Sequence, residues 1–167
     1  WKLTAVADQV VMLHGGFSDR LTTLGQKGEL SRFSLSDGWS VASINAASND
    51  ALFDLVDLEI TGSGENSQLL LASFDRGLVS VNGSETLVVN ESSSNSTLST
   101  FNGSVNMTAI ASEGNNVWMT NYGATNALHR WEPETDTWTA FSFSNSVGRF
   151  PIDLFIAPNG DKWLTID

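Results

Sequence analysis

The chain of 167 residues contains no cysteine. Disulfides, thiolate zinc sites, iron–sulfur clusters and a cysteine nucleophile are therefore all excluded. Bases are scarce, eight against 19 acids, for a net charge of −11 and an isoelectric point near 4.3. A surface of that sign repels phosphate backbones, which argues against nucleic acid as a partner. No apolar run approaches the ~18 residues of a membrane span. Proline occurs three times, at Pro133, Pro151 and Pro158, each in a turn-like setting. Helical periodicity is thin throughout, and its best candidate is a single turn at 49–53. The chain opens on Trp1 rather than Met and shows no signal-type apolar segment, so a fragment or mature piece of something longer is expected.

What is present is repetition. Gln9–Gly16, Gln68–Gly77, Asn116–Gly123 and Asp161–Asp167 each start polar and then run apolar, with starts 59, 48 and 45 residues apart. Another short apolar stretch precedes each: 3–7, 55–60, 107–111 and 152–156. In the second pair Val56, Leu58 and Ile60 alternate with Asp57 and Glu59, the period of a strand and not of a helix. Leu69, Leu70 and Leu71 are continuously apolar, as in a strand covered on both faces. A second hairpin follows: Leu30–Phe33 turns at Ser36–Gly38 into Trp39–Ala42, Leu78–Val81 turns at Asn82–Gly83 into Thr86–Val89, and Leu128–Trp131 turns into Trp138–Phe141. Four short antiparallel strands in about 45 residues is the size of a β-propeller blade. The expected fold is all-β, a partial propeller of about three and a half blades in one segment, 1–167. The blades fall at 3–45, 55–90 and 107–144, and a fourth starts at 152–167. Helix above about 15% would contradict this. The run 90–97 reads as a solvated connector between blades.

Several motifs in these units resemble the bacterial two-component regulator propeller repeat. Asp57–Leu98 carries most of the likeness through Ser73, Gly77-Leu78 and Asn95-Ser96-Thr97-Leu98, with Thr97 standing where proline is usual. Asn115–Gly123, Asn159–Ile166 and Trp131–Phe141 resemble further strands of the same repeat. Over most of the chain, the order of these elements resembles the outer-membrane propeller components of the type IX secretion system. The resemblance implies an exported protein, in the periplasm or at the cell surface, that binds or senses rather than catalyses, and a binding and scaffolding module of the secretion type is the first reading. The sensor ectodomains of hybrid two-component receptors share the repeat and remain an alternative. A carbohydrate-active propeller enzyme is a remote one. No catalytic residue carries over from these families, and no cofactor is implied.

The residues themselves offer little chemistry. His14 and His129, the two histidines, lack any metal-ligand spacing and read as unrelated strand residues, so no metal is expected. Trp39, Trp118, Trp131, Trp138 and Trp163 fall at repeat-equivalent strand positions and read as blade-to-blade packing rather than a sugar platform. Ser34–Trp39 resembles a sialidase Asp-box only faintly, with the wrong spacing. Propellers bind through the loops at one end. Here those loops hold Asp75, Arg76, Asn121, Tyr122, Asn126 and Arg149, a set suited to a polar ligand such as a glycan or a protein loop. On this reading, Ala at Arg76 and Tyr122 should weaken binding and leave the fold intact. A blade packs on both faces, so the expected partners also include the remaining blades, from the same polypeptide or a second chain.

Overall fold

Short alternating segments bounded by tight turns cannot bury a face alone, so they pair in chain order and stack. The computed structural model describes residues 2–6, 9–47, 51–62, 67–144 and 147–167. The chain is all-β. The first sheet contains β1 (Lys2–Val6), β2 (Gln9–Leu13), β3 (Glu29–Ser34) and β4 (Gly38–Ser43). The second contains β5 (Leu55–Thr61), β6 (Gln68–Ser73), β7 (Gly77–Asn82) and β8 (Glu85–Val89). The third contains β9 (Met107–Glu113), β10 (Asn116–Asn121), β11 (Asn126–Glu132) and β12 (Thr137–Ser142). A two-stranded fourth sheet contains β13 (Pro151–Ile156) and β14 (Lys162–Ile166). Every pairing between these strands is antiparallel. Among the described residues the only helical element is a 3-10 turn at Val147–Arg149. The turn expected at 49–53 lies partly outside the described residues. The rest is extended, since Ala51 bridges Asn45 and Phe53 bridges Lys27.

Both faces of the middle sheets are apolar because both are covered. On the second sheet Leu71 stands opposite Val79 and faces the first sheet, packing with Val11, Leu13 and Leu30. Leu70, Ala72 and Leu78 point the other way, onto Met107, Ile110, Val117, Met119 and Trp131 of the third sheet. The third sheet in turn offers Ala109, Trp118 and Leu128 to Leu154 and Leu164 of the fourth. The first strands β1, β5, β9 and β13 are neighbours in that order. Hairpin turns therefore collect at one end of the stack. The β2–β3, β6–β7 and β10–β11 loops and the inter-sheet connectors collect at the other, the loop end.

The five tryptophans at repeat-equivalent positions, of six in the chain, divide by position. Trp118 and Trp131 are buried between sheets, each stacked on a second ring, Phe141 at 5.4 Å and Trp138 at 5.6 Å. Trp39 and Trp163 are 60% and 64% exposed. They lie on the outward faces of the first and fourth sheets, which no described sheet covers, so the packing expected of them is not seen within this chain.

Two buried carboxylates hold the connections. Asp54, at φ +48°, accepts the backbone N–H groups of Leu24, Gly25 and Gln26 at 2.9–3.0 Å, fastening the long β2–β3 loop to the entry of the second sheet. Asp57 accepts the N–H of Leu58 at 2.8 Å, the N–H of Ile110 at 3.1 Å and the Lys2 ammonium at 2.9 Å. It thus joins three first strands. Partial burial lowers the Lys2 pKa, but the Asp57 hydrogen bond and the charges of Asp57, Asp153 and Glu59 outweigh it and leave it raised. Replacing Asp57 with Ala strands two backbone donors and a cation. The expected loss is about 3 kcal/mol of unfolding free energy, with Asp57→Asn losing less because it keeps an acceptor oxygen. Urea denaturation of the two variants measures this, and equal losses would show that the acceptor is immaterial.

Candidate functional site

The loop end is built by tight turns that satisfy their own backbone. Ser73 Oγ accepts the N–H groups of Asp75 and Arg76 and donates to the Phe53 carbonyl at 2.9 Å. Gly77 closes that turn at φ +94°, where a Cβ would stand 2.6 Å from the Val89 carbonyl oxygen. This accounts for glycine at the position. Arg76 projects outward, paired with Asp75 at 3.0 Å, and Asp75 also accepts from Ser104 Oγ at 3.2 Å. Along the same end runs a row of rings: Phe17 to Phe74 at 5.0 Å, Phe74 to Tyr122 at 5.8 Å and Tyr122 to Phe150 at 5.2 Å, with Phe101 beside the last two. These rings close the loop end over the three inter-sheet cores.

The six sequence-derived residues fall into three settings. Arg76 and Asn126 are exposed, and Asp75 and Arg149 are half-buried. Arg149 reaches across to donate from Nη2 to the Gly123 carbonyl at 2.6 Å and from Nε to that of Ala124 at 3.3 Å, so its charge fastens the β10–β11 loop. Asn121 and Tyr122 are buried. Asn121 Oδ1 accepts the Ser99 N–H at 2.9 Å, whereas its Nδ2 is buried with no hydrogen-bond partner among the described residues. Burial pushes the Tyr122 phenol up in pKa, and the neighbouring Asp167 carboxylate, which takes its hydrogen bond, does the same. Tyr122 therefore belongs to the ring row, contrary to the expectation that its loss leaves the fold intact. Arg76 and Asn126 are the accessible members of the set. Tyr122→Ala should cost about 3–5 kcal/mol of stability through lost ring packing, and Arg76→Ala within about 0.5 kcal/mol. Thermal melts of the two variants compare them directly.

Beside Asp75 the loop end opens into a cavity of about 180 Å³ bordered by Thr22, Thr23, Phe74, Phe101, Asn102, Ser104 and Asn106. Its rim is amide and hydroxyl, its floor aromatic, a lining that accepts and donates without net charge. Sequence reasoning did not reach Thr22, Asn102 or Asn106. The first lies in a long loop with no periodic signal, and the others lie between the run 90–97 read as a connector and the third blade, where no motif was read as a site. Wider gaps of about 330 Å³ open where the sheets splay at the turn end, beside Gln9, Arg32 and Gln68 and beside Asn115 and Glu134. They are wedges between sheets and bring no reactive groups together.

The histidines are held apart. His14 Nε2 lies 2.6 Å from Ser31 Oγ in the first sheet. His129, buried in the third, donates from Nε2 to the Asn126 carbonyl at 2.9 Å and accepts at Nδ1 from Thr97 at 2.8 Å. Thr97 thus pins the second connector to the third sheet, where Leu98 enters the core. Among the described residues no group of three or more His, Asp or Glu is placed to hold a metal ion. Burial lowers the His129 pKa from 6.5 to about 4. The unfolded chain thus binds more protons between these values, so stability is full above pH 6.5 and falls as pH drops towards 4. The loss is on the order of 3 kcal/mol. His129→Gln should flatten this part of the stability–pH curve, and an unchanged slope would assign it to other groups.

No family model matches the sequence, and no curated protein matches it either. The fold has a solved relative. PorZ, described as an essential bacterial surface component of the type-IX secretion system of human oral-microbiomic Porphyromonas gingivalis, superposes with a TM-score of 0.76 at 17% identity. The match covers 98% of this chain and 22% of PorZ, so the chain spans about a fifth of that protein's length and shares the fold of that part.

Proposed function

We propose that the chain is a segment of a β-propeller, about three and a half blades of it, serving as a non-catalytic binding and scaffolding module of an exported protein similar to PorZ. The observation that carries this is the fold likeness over nearly the whole chain to part of a surface component of a secretion machine. The make-up of the loop end supports it. Its charged and aromatic side chains are spent on closing turns and fastening loops, with Asp75 paired to Arg76 and Arg149 to carbonyls. Arg76, Asn126 and the amide-lined cavity beside Phe101 are left to meet a glycan or a protein loop. A site of this make-up positions a partner and offers no general acid–base pair.

In a bacterium producing the full-length protein, Arg76→Glu combined with Asn126→Ala should lower capture of its export-machine partner about tenfold, which corresponds to about 1.4 kcal/mol. The melting temperature and the surface level of the protein should not change. Cargo should then accumulate inside the envelope. Normal cargo export by a strain lacking residues 1–167 would overturn the reading.

A further inference from the structure

The first strands of the four sheets share one position. Val6 and Glu113 are the last paired residues of their strands, opposite Gln9 and Asn116, and four residues before them stand Lys2 and Ala109. Four residues before Thr61, which pairs with Gln68, stands Asp57. Four before Ala157, whose N–H bonds to the Asp161 carbonyl, stands Asp153. An irregularity in the pairing immediately precedes both Asp57 and Asp153, between Leu55 and Asp57 and between Pro151 and Asp153. The two aspartates are thus equivalent.

They also begin the same hydrogen-bond pattern. Asp57 Oδ1 accepts the N–H of the next residue, Leu58, at 2.8 Å, and Asp153 Oδ1 accepts that of Leu154 at 2.9 Å. Asp57 completes the pattern across the sheet interface: its Oδ2 takes the N–H of Ile110 in the following sheet at 3.1 Å. Asp153 Oδ2 has no such partner among the described residues. The face around it is apolar. Leu154 and Leu164 point onto the third sheet, so Asp153 and Thr165, and with them Phe155 opposite Trp163, point away from it. Phe155 and Trp163 are 62% and 64% exposed.

We propose that this outward face of β13 and β14 docks one further four-stranded sheet of the same repeat, hooked through Asp153 Oδ2 to a backbone N–H of that sheet's first strand. The proposal rests on the propeller reading above and specifies its next interface. It also constrains the partner. Where the hook is already engaged, the receiving strand carries Ala109, not an acid, just before the donated N–H. An acid at that place would take the N–H for itself, as Asp57 and Asp153 do, and would set a second negative charge against the hook. The incoming strand therefore carries a non-acidic residue there, and large apolar side chains to meet Phe155 and Trp163.

The 167 residues contain no cysteine, so a thiol placed on this face is a local probe. In the full-length polypeptide, with any cysteine elsewhere replaced, Thr165→Cys should react with a thiol reagent about a hundredfold more slowly than Leu87→Cys at an exposed position of β8. Adding Asp153→Ala should speed the Thr165→Cys reaction about tenfold, and Asp153→Asn, which keeps one acceptor, less. Protection that does not depend on protein concentration supports a sheet of the same polypeptide. Protection that fades on dilution would show a second copy on this face and overturn the assignment. Protection indifferent to residue 153 would overturn the hook and leave the propeller reading standing. Labelling as fast as at residue 87 would overturn both.

Discussion

Asp57 is the point on which the stack turns. A sheet whose two faces are both apolar must be covered twice, but apolar packing alone leaves neighbouring sheets free to slide. A buried carboxylate removes that freedom, because its oxygens must each find a donor. Asp57 finds Leu58 in its own strand, Ile110 in the next sheet and Lys2 in the previous one. The alignment of three first strands is therefore set by electrostatics, and the leucine faces of the second sheet fill in around it. Further out, Lys162 repeats the logic between the third and fourth sheets, donating to Glu113 at 2.7 Å while lying 4.3 Å over the Trp118 ring.

The same economy shapes the loop end. Backbone N–H groups there are answered by side chains, those of a short turn by Ser73 and those of the long β2–β3 loop by Asp54. The ring row from Phe17 to Phe150 then seals the cores from solvent. What remains for recognition is small: a few side chains on rigid turns and one shallow amide-lined opening. A surface of that kind gives orientation and specificity to a partner more readily than it gives chemistry to a substrate.

Strand order and pairing were legible because period-2 alternation, the Asn82-Gly83 turn and the internal repeat all point the same way. The continuously apolar Leu69–Leu71 correctly announced a strand covered twice. Residue roles at the loop end were much less legible. Tyr122 and Arg149 look alike in sequence to Arg76, polar groups in short loops. Which of them is buried depends on the connector from the next sheet, and no local pattern encodes that. Thr97 and His129 show the same limit, since a threonine in a spacer-like run turns out to hold the imidazole of a strand 32 residues later. Trp39 and Trp163 are read differently. Their repeat positions match those of buried tryptophans, but their sheets stand at the two sides of the stack.

Charge narrows what can meet this molecule. Of eight bases, Lys2, Arg76, Arg130 and Lys162 are engaged with carboxylates and Arg149 with backbone carbonyls. The engaged bases sit mainly at seams and turns, where they neutralise acids that packing has forced close. The net charge of −11 is left on exposed edges and turns. At physiological ionic strength such a field acts over about 8 Å, enough to bias encounters at the rim of an interface. On the proposed binding role, this charge favours neutral glycans or cationic protein loops at the amide-lined opening over polyanions. The outward faces of β4 and β14 are by contrast largely apolar, with Trp39, Val41 and Trp163 exposed, so a further sheet packed there would draw little on this field. The two kinds of contact therefore draw on different surfaces, one polar and at the loop end, the other apolar and at the sides of the stack.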